Sequence, residues 1–247
     1  MDRFKLLQFI SLIVLAFTLV KPNLAKAQEV LPEEAMPARS TGLIHWGIKA
    51  GASLNQFNQS GMTIGFNGGF VFRSNVTGIF DIQAEVLYVM QGSSRGDYYK
   101  SFDDLGGPVS SAVYTNRAIS LQNVSVPLLA IIKLGTVQGF MEPKVMIGGS
   151  YSYCFAAYER FDEVFYFTDG SESVAGNQTE NVLSDYQQHQ FDGIGGFGLD
   201  FMLSNGKIFG FEVRYHQGLN DINLFKSPRV GGALFKNSVC VNFSYVF

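Results

Sequence analysis

The segment Val239-Cys240-Val241-Asn242-Phe243-Ser244-Tyr245-Val246-Phe247 limits the fold more than any other part of the chain. Val239, Val241, Phe243, Tyr245 and Phe247 are apolar, and Cys240, Asn242 and Ser244 between them are small or polar. A period of two describes a β-strand whose faces meet two different surroundings. The apolar face runs to the last residue, which is aromatic. A soluble domain rarely leaves such a face in water. The last strand of a transmembrane β-barrel turns it to lipid and sets its aromatic end at the membrane interface.

Seven further segments alternate in the same way. In the first, Trp46, Ile48, Ala50, Ala52 and Leu54 oppose Lys49, Ser53 and Asn55. Ile64, Phe66, Phe70 and Phe72 then oppose Asn67 and Arg73, and Phe80, Ile82, Ala84, Val86, Tyr88 and Met90 oppose Asp81, Gln83, Glu85 and Gln91. Val124, Val126, Leu128, Ala130 and Ile132 oppose Asn123, Ser125 and Lys133, with Pro127 marking a bulge or bend because it cannot donate to a ladder. Met141, Val145, Ile147, Tyr151 and Tyr153 oppose Glu142, Lys144, Ser150 and Ser152. Phe191, Phe197, Leu199 and Phe201 oppose Asp192 and Asp200, and Phe209, Phe211, Val213 and Tyr215 oppose Glu212, Arg214 and His216.

Connection lengths choose between a sandwich and a membrane barrel. Tight-turn signals fall at 74–78, Gly135-Thr136 and Ser204-Asn205-Gly206, and longer connections at 56–61, 92–117, 156–190 and 219–234. Short turns at one end and longer loops at the other describe an outer-membrane barrel with periplasmic turns and extracellular loops. A sandwich with crossover connections has no reason to show that parity. The fold class read from the sequence is all-β, an eight-stranded antiparallel up-and-down transmembrane β-barrel over residues 44–247.

The N-terminus sets the compartment. Asp2-Arg3-Phe4-Lys5 is a short basic region, Leu6 to Val20 is largely apolar, and Ala25-Lys26-Ala27 places small residues where signal peptidase needs them. The apolar core is shorter than the roughly 20 residues of a spanning helix. Residues 1–27 therefore read as a signal peptide and 28–43, with two prolines, as a periplasmic leader. Phe (23) and Gly (27) are abundant and charge is only 16%, yet no later apolar run is long enough for a membrane helix. A net charge of −3 speaks against nucleic acid as a partner.

Several motifs resemble one family. Gly47-Ile48-Lys49-Ala50-Gly51 opens the barrel, and Phe80-Asp81-Ile82-Gln83-Ala84-Glu85-Val86-Leu87-Tyr88 precedes Gln91-Gly92. Leu121-Gln122-Asn123-Val124-Ser125-Val126-Pro127-Leu128-Leu129 precedes Lys133, and Phe211-Glu212-Val213-Arg214-Tyr215 precedes Gly218-Leu219-Asn220. Together, over 44–247, these are similar to the PorT-like outer-membrane β-barrel family of Bacteroidota. The resemblance implies an eight-stranded barrel in the bacterial outer membrane and a link to type IX protein secretion and its proteins. Ser125 stands where many relatives carry an acidic residue, which implies one missing lumen ion pair.

Eight strands enclose just enough space for side chains. The inward charges are then Lys49, Arg73, Asp81, Glu85, Lys133, Glu142, Lys144, Asp192, Asp200, Glu212 and Arg214, five basic against six acidic. Buried charges are costly unless paired, so they read as a paired polar plug. His189 and His216, with Ser184, Asp185, Asp192 and Asp221, fall near the extracellular end, but no local motif makes them a hydrolase. His45 falls at the periplasmic start of the first strand, and the histidines show no metal-ligand spacing. Cys154 and Cys240 point inward from strands that are not neighbours, so they read as free thiols. The aromatic and acidic stretch 158–169 reads either as a contact surface or as strands prolonged beyond the membrane.

The functional expectation is a non-enzymatic barrel of structural or interaction role, with no cofactor and no metal. Its partners are outer-membrane lipid and the barrel assembly machinery, the latter reading Tyr245 and Phe247. The alternatives are a hydrolase at the rim or a small-solute channel.

Overall fold

The computed structural model describes residues 44–58, 61–101, 109–137, 139–203, 206–224 and 232–247. The signal-peptide and leader readings at 1–27 and 28–43 lie outside the described residues. Ten strands follow in order: β1 (Ile44–Phe57), β2 (Thr63–Thr77), β3 (Phe80–Ser94), β4 (Tyr98–Ser101), β5 (Val109–Lys133), β6 (Met141–Phe167), β7 (Glu172–Asn181), β8 (His189–Met202), β9 (Ile208–Gly218) and β10 (Lys236–Val246). Eight of them form a closed antiparallel ring, β1-β2-β3-β5-β6-β8-β9-β10. It closes where β10 pairs with β1 from Gly47↔Val246 to Phe57↔Lys236. Closure satisfies every ring edge with backbone hydrogen bonds, which a hydrocarbon surrounding requires.

The ring is inverted relative to a soluble protein. Ile48 (51%), Phe70 (53%) and Ile147 (64%) are exposed on the outside, whereas Lys49, Glu85, Lys144, Glu212 and Arg214 are buried inside. Aromatic clusters flank the apolar band. At the end with the short turns, Phe247 lies against Trp46 (4.6 Å) and Tyr245 (5.1 Å). At the other end, Tyr151 packs on Phe191, and Tyr88 on Phe66 and Phe155.

Local details depart from the sequence reading. β2 continues to Thr77, so the first turn is only Gly78-Ile79. The connection between β5 and β6 runs over 134–140 rather than through a tight Gly135-Thr136 turn. Of Ser204-Asn205-Gly206, only Gly206 lies among the described residues; its φ of +78° suits a residue without a Cβ. Pro127 makes no bulge: Ala84↔Leu128 and Leu87↔Ser125 keep one register across it, and only the pairs of Glu85 and Val86 drop out of the β3 ladder. The proline's missing N–H removes a bond without shifting the strand. The register shift beside it lies on β6, where Phe155 is extra between Cys154 and Ala156.

The stretch 158–169 mostly prolongs β6 beyond the ring. There β6 pairs with the upper half of β5 and with β7, while β4 adds to β5, so four strands stand above the barrel in the order β4-β5-β6-β7. Asp162 of β6 lies between two register irregularities. Its Oδ2 accepts from Asn116 Nδ2 of β5 (2.9 Å), and its Oδ1 from the Asn177 N–H of β7 (2.7 Å). Asn116 and Asn177 have φ of +50° and +64°, the left-handed region that asparagine tolerates best after glycine. One carboxylate thus pins the bulges of both neighbouring strands.

Two tests follow from this architecture. Phe70→Arg, midway along β2 on the outer face, should cost about 2–4 kcal/mol of folding free energy in lipid vesicles if that face meets lipid at the membrane midplane. The hydrogen bonds from Asn116 and from the Asn177 N–H hold the Asp162 carboxyl below the usual carboxylate range. Its stabilisation is therefore complete above the ordinary Asp pKa and is lost as pH falls through the lowered value. Asp162→Ala should give β7 amides, at neutral pH, the low protection relative to their intrinsic exchange rates that the wild type shows only in strong acid. Equal exchange in variant and wild type at neutral pH would sink this role.

Candidate functional site

The lumen is organised around seven charges from six ring strands. Glu85 of β3 accepts from both terminal nitrogens of Arg214 (2.9 and 2.7 Å), from Lys49 of β1 and from Gln83 Nε2. Glu212 of β9 accepts from Lys49 (2.7 Å), Lys144 of β6 (2.7 Å) and Arg214 (2.6 Å). Asp200 of β8 takes Lys144 (2.7 Å) and Arg73 of β2, whose Nε donates to Gln83 Oε1 (2.8 Å). Four cations meet three carboxylates, each bridging at least two cations. Room for the long cationic side chains comes from glycines on the inner face: a Cβ at Gly198 would lie 3.0 Å from Lys144 Cε, and one at Gly210 only 2.4 Å from Ser244 Oγ.

The other four inward charges lie around this layer. Lys133 pairs with Asp81 (2.7 Å) near the short turns, and Glu142 is buried at the start of β6. Asp192 lies higher, bound to Lys236 (3.0 Å) and Ser150 (3.2 Å). Lys236 lies N-terminal to the alternation that begins at Val239, yet it shares the inner parity of Ser238 and Cys240. Arg117 and Glu159, which the sequence pattern places in connections, pair at 2.6 Å above the ring. Ser125 takes a hydrogen bond from Ser152 (2.9 Å).

Above Arg214 lies a cavity of about 20 Å³, lined among others by Asn67, Gln91, Asp192, His216, Cys240 and Asn242. Above that, described residues of the connections form a buried apolar cluster with the ring. Val182, Tyr186, Ile222 and Leu234 pack with Phe57, Ile119, Leu121, Cys154 and Ala157, all nearly without exposure. The connection between β9 and β10 is braced for this role. Asp221 Oδ1 accepts the N–H groups of Asn223 (2.9 Å) and Leu234 (2.7 Å), and the Ile222 N–H donates to the Leu234 carbonyl (2.9 Å). Burial pushes the Tyr186 phenol well above its usual pKa, so it stays neutral.

The candidate rim residues do not converge. His189 faces outward, its Nδ1 2.7 Å from Tyr151 Oη, whereas His216 faces the inner cavity. Asp221 is engaged with backbone, and Asp192 with Lys236. His45 Nδ1 lies 3.3 Å from the Phe247 carbonyl at the periplasmic end. Cys154 and Cys240 are buried free thiols on β6 and β10. Among the described residues, no three His, Cys, Asp or Glu side chains gather as metal ligands.

A family model described as an outer membrane protein beta-barrel domain matches residues 27–223. The chain belongs to this family. It is an outer-membrane β-barrel, and its place is the bacterial outer membrane. The match stops short of β10, which the structure shows pairing with β1 to complete the ring. Among solved structures, OprG from Pseudomonas aeruginosa is 14% identical over 84% of this chain and 98% of its own, with a TM-score of 0.42. Ail of Yersinia pestis is 10% identical over 84% of this chain and 100% of its own, with a TM-score of 0.36. Neisserial surface protein A is 14% identical over 81% and 95%, with a TM-score of 0.40. Likeness at this level carries nothing about function. No curated protein matches the chain.

Removing one member of the ionic layer should expose its cost. Glu212→Ala leaves Lys49, Lys144 and Arg214 short of a shared acceptor, and loss of one partner of a buried pair costs about 3–5 kcal/mol. Urea unfolding of the barrel in detergent should show a drop of that order, and a change below about 1 kcal/mol would count against an interdependent network.

Proposed function

We propose that the protein is a non-enzymatic outer-membrane barrel that does not conduct solutes and acts as a structural or interaction protein. The observation that carries this reading is the seven-charge layer that spans the lumen between six ring strands, with a buried apolar cluster above it. An eight-stranded ring leaves no further room for a pore. The separation of His189 from His216 and the prior engagement of Asp192 and Asp221 weigh against a hydrolase at the rim.

Interaction then falls to the parts outside the membrane, above all the four-stranded sheet of β4, β5, β6 and β7. It exposes Tyr99, Tyr158, Tyr166 and Val174 beside Glu172 and Asp169. Exposed aromatic side chains suit recognition. The resemblance to the PorT-like family makes type IX secretion proteins the first partners to seek. Barrel assembly machinery would read the outward face of β10, where Tyr245 and Phe247 pack on one another and Lys207 stands over both rings.

Planar-bilayer recordings of the purified barrel should show no stable conductance steps, and reproducible steps would overturn the closed-lumen reading. Crosslinking in native outer membrane should capture partners through the protruding sheet. Deleting Phe247 removes the Trp46 contact and the hydrogen bond from its N–H to the Trp46 carbonyl (2.8 Å). The deletion should lower the assembled fraction in the outer membrane without reducing export to the periplasm. Unchanged assembly would reject Phe247 as part of the assembly signal.

A further inference from the structure

We propose that the upper lumen is a hydration site, in which Asn67 and Asn242 hold a bound water between the ionic layer and the apolar cap. Gly51 of β1 pairs with Asn67 of β2 on one side and Asn242 of β10 on the other, so the two amides flank a position with no side chain. Both are more than nine-tenths buried, at 7% and 3% exposure, and both line the cavity of about 20 Å³. The side-chain oxygens of Asn67 and Asn242 accept no hydrogen bond from any described residue, and Oδ1 of Asp192, another lining residue, accepts none either. Buried acceptors of this kind are nearly always satisfied by protein or by ordered water.

The chemistry selects the ligand. Three acceptors call for a donor. A metal cation would meet Arg214 at the cavity wall and Lys236 on Asp192, and an anion would face three acceptor oxygens. Water donates twice, enough for Asn67 and Asn242, and the volume suits one water and no larger polar solute. In this proposal the buried cluster of Phe57, Leu121, Tyr186, Ile222 and Leu234 limits access from outside, and Arg214 with its carboxylates limits access from the periplasm. The water then exchanges faster when the cap opens. Cys240 lines the same cavity and is a native reporter of that opening.

The proposal rests on the closed-lumen reading, and the two fail in different experiments: conductance tests the closure, and the following measurements test the hydration site. In the folded full-length barrel in lipid nanodiscs, the side-chain amide protons of Asn67 and Asn242 should show cross-peaks to water of dipolar, not exchange, sign. Asn67→Leu should weaken the cross-peak at Asn242. With Cys154→Ala as background, silver ion, which displaces the thiol proton and bonds to sulfur, should modify Cys240 slowly. Ile222→Ala, or Leu234→Ala where the first does not fold, should speed this at least about tenfold by favouring local opening of the cap. Absence of water cross-peaks at both amides of the wild-type barrel overturns the proposal. A Cys240 rate indifferent to cap variants overturns the limit that the cap sets on access.

Discussion

Lys49, Lys144 and Arg214 all reach one carboxylate, Glu212, across the inside of the ring. A lone charge in that space would carry a desolvation cost of several kcal/mol, and only mutual pairing offsets it. The rest of the barrel is arranged to permit this convergence. β1, β2, β3, β6, β8 and β9 each deliver at least one charge to the layer, and inward glycines such as Gly198 and Gly210 leave the space that the long cationic chains cross. The outward faces can then be largely apolar. The charges tie the ring together from within and displace the water that would otherwise fill it.

The ionic layer also divides the molecule by task. Below it, Asp81 and Lys133 and a small apolar cluster of Val71, Ile208 and Val246 finish the periplasmic end, which the short turns keep simple. Above it, the chain is free to elaborate. The connection between β9 and β10 folds back as a cap, and β5 and β6 continue past the ring to carry a separate sheet steadied by Asp162. A barrel closed at its centre loses nothing when its loops specialise in contact, so the functional reading points outward to the sheet rather than inward to the lumen.

Most of the ring was legible in the sequence because strand parity is a local property. A residue such as Glu85 between Ala84 and Val86 takes the opposite face from both neighbours whatever the remainder of the chain does. The same parity put Asn242 and Ser244 inside and Phe243 and Tyr245 outside. Parity faltered where the period shifts: Phe155 adds a residue to β6, and Asn116 and Asn177 add theirs beside Asp162. It was silent on the connections, since nothing in the order of residues 182–186 and 219–224 says that Tyr186 and Ile222 meet Phe57. Pro127 illustrates the opposite error, a residue with a strong local preference whose effect the flanking ladders absorbed.

The sequence by itself determined the fold class, the two faces of each ring strand and the set of charges that must share the interior, because alternation and the cost of unpaired charge act residue by residue. Only the tertiary structure decided which carboxylate bridges which cations, that Asp192 belongs to Lys236 rather than to the central layer, and that a buried apolar cluster lies above that layer. Those outcomes depend on strand tilt, register and the return path of the loops, which bring together residues as distant as Arg73 and Asp200. No local pattern encodes that distance.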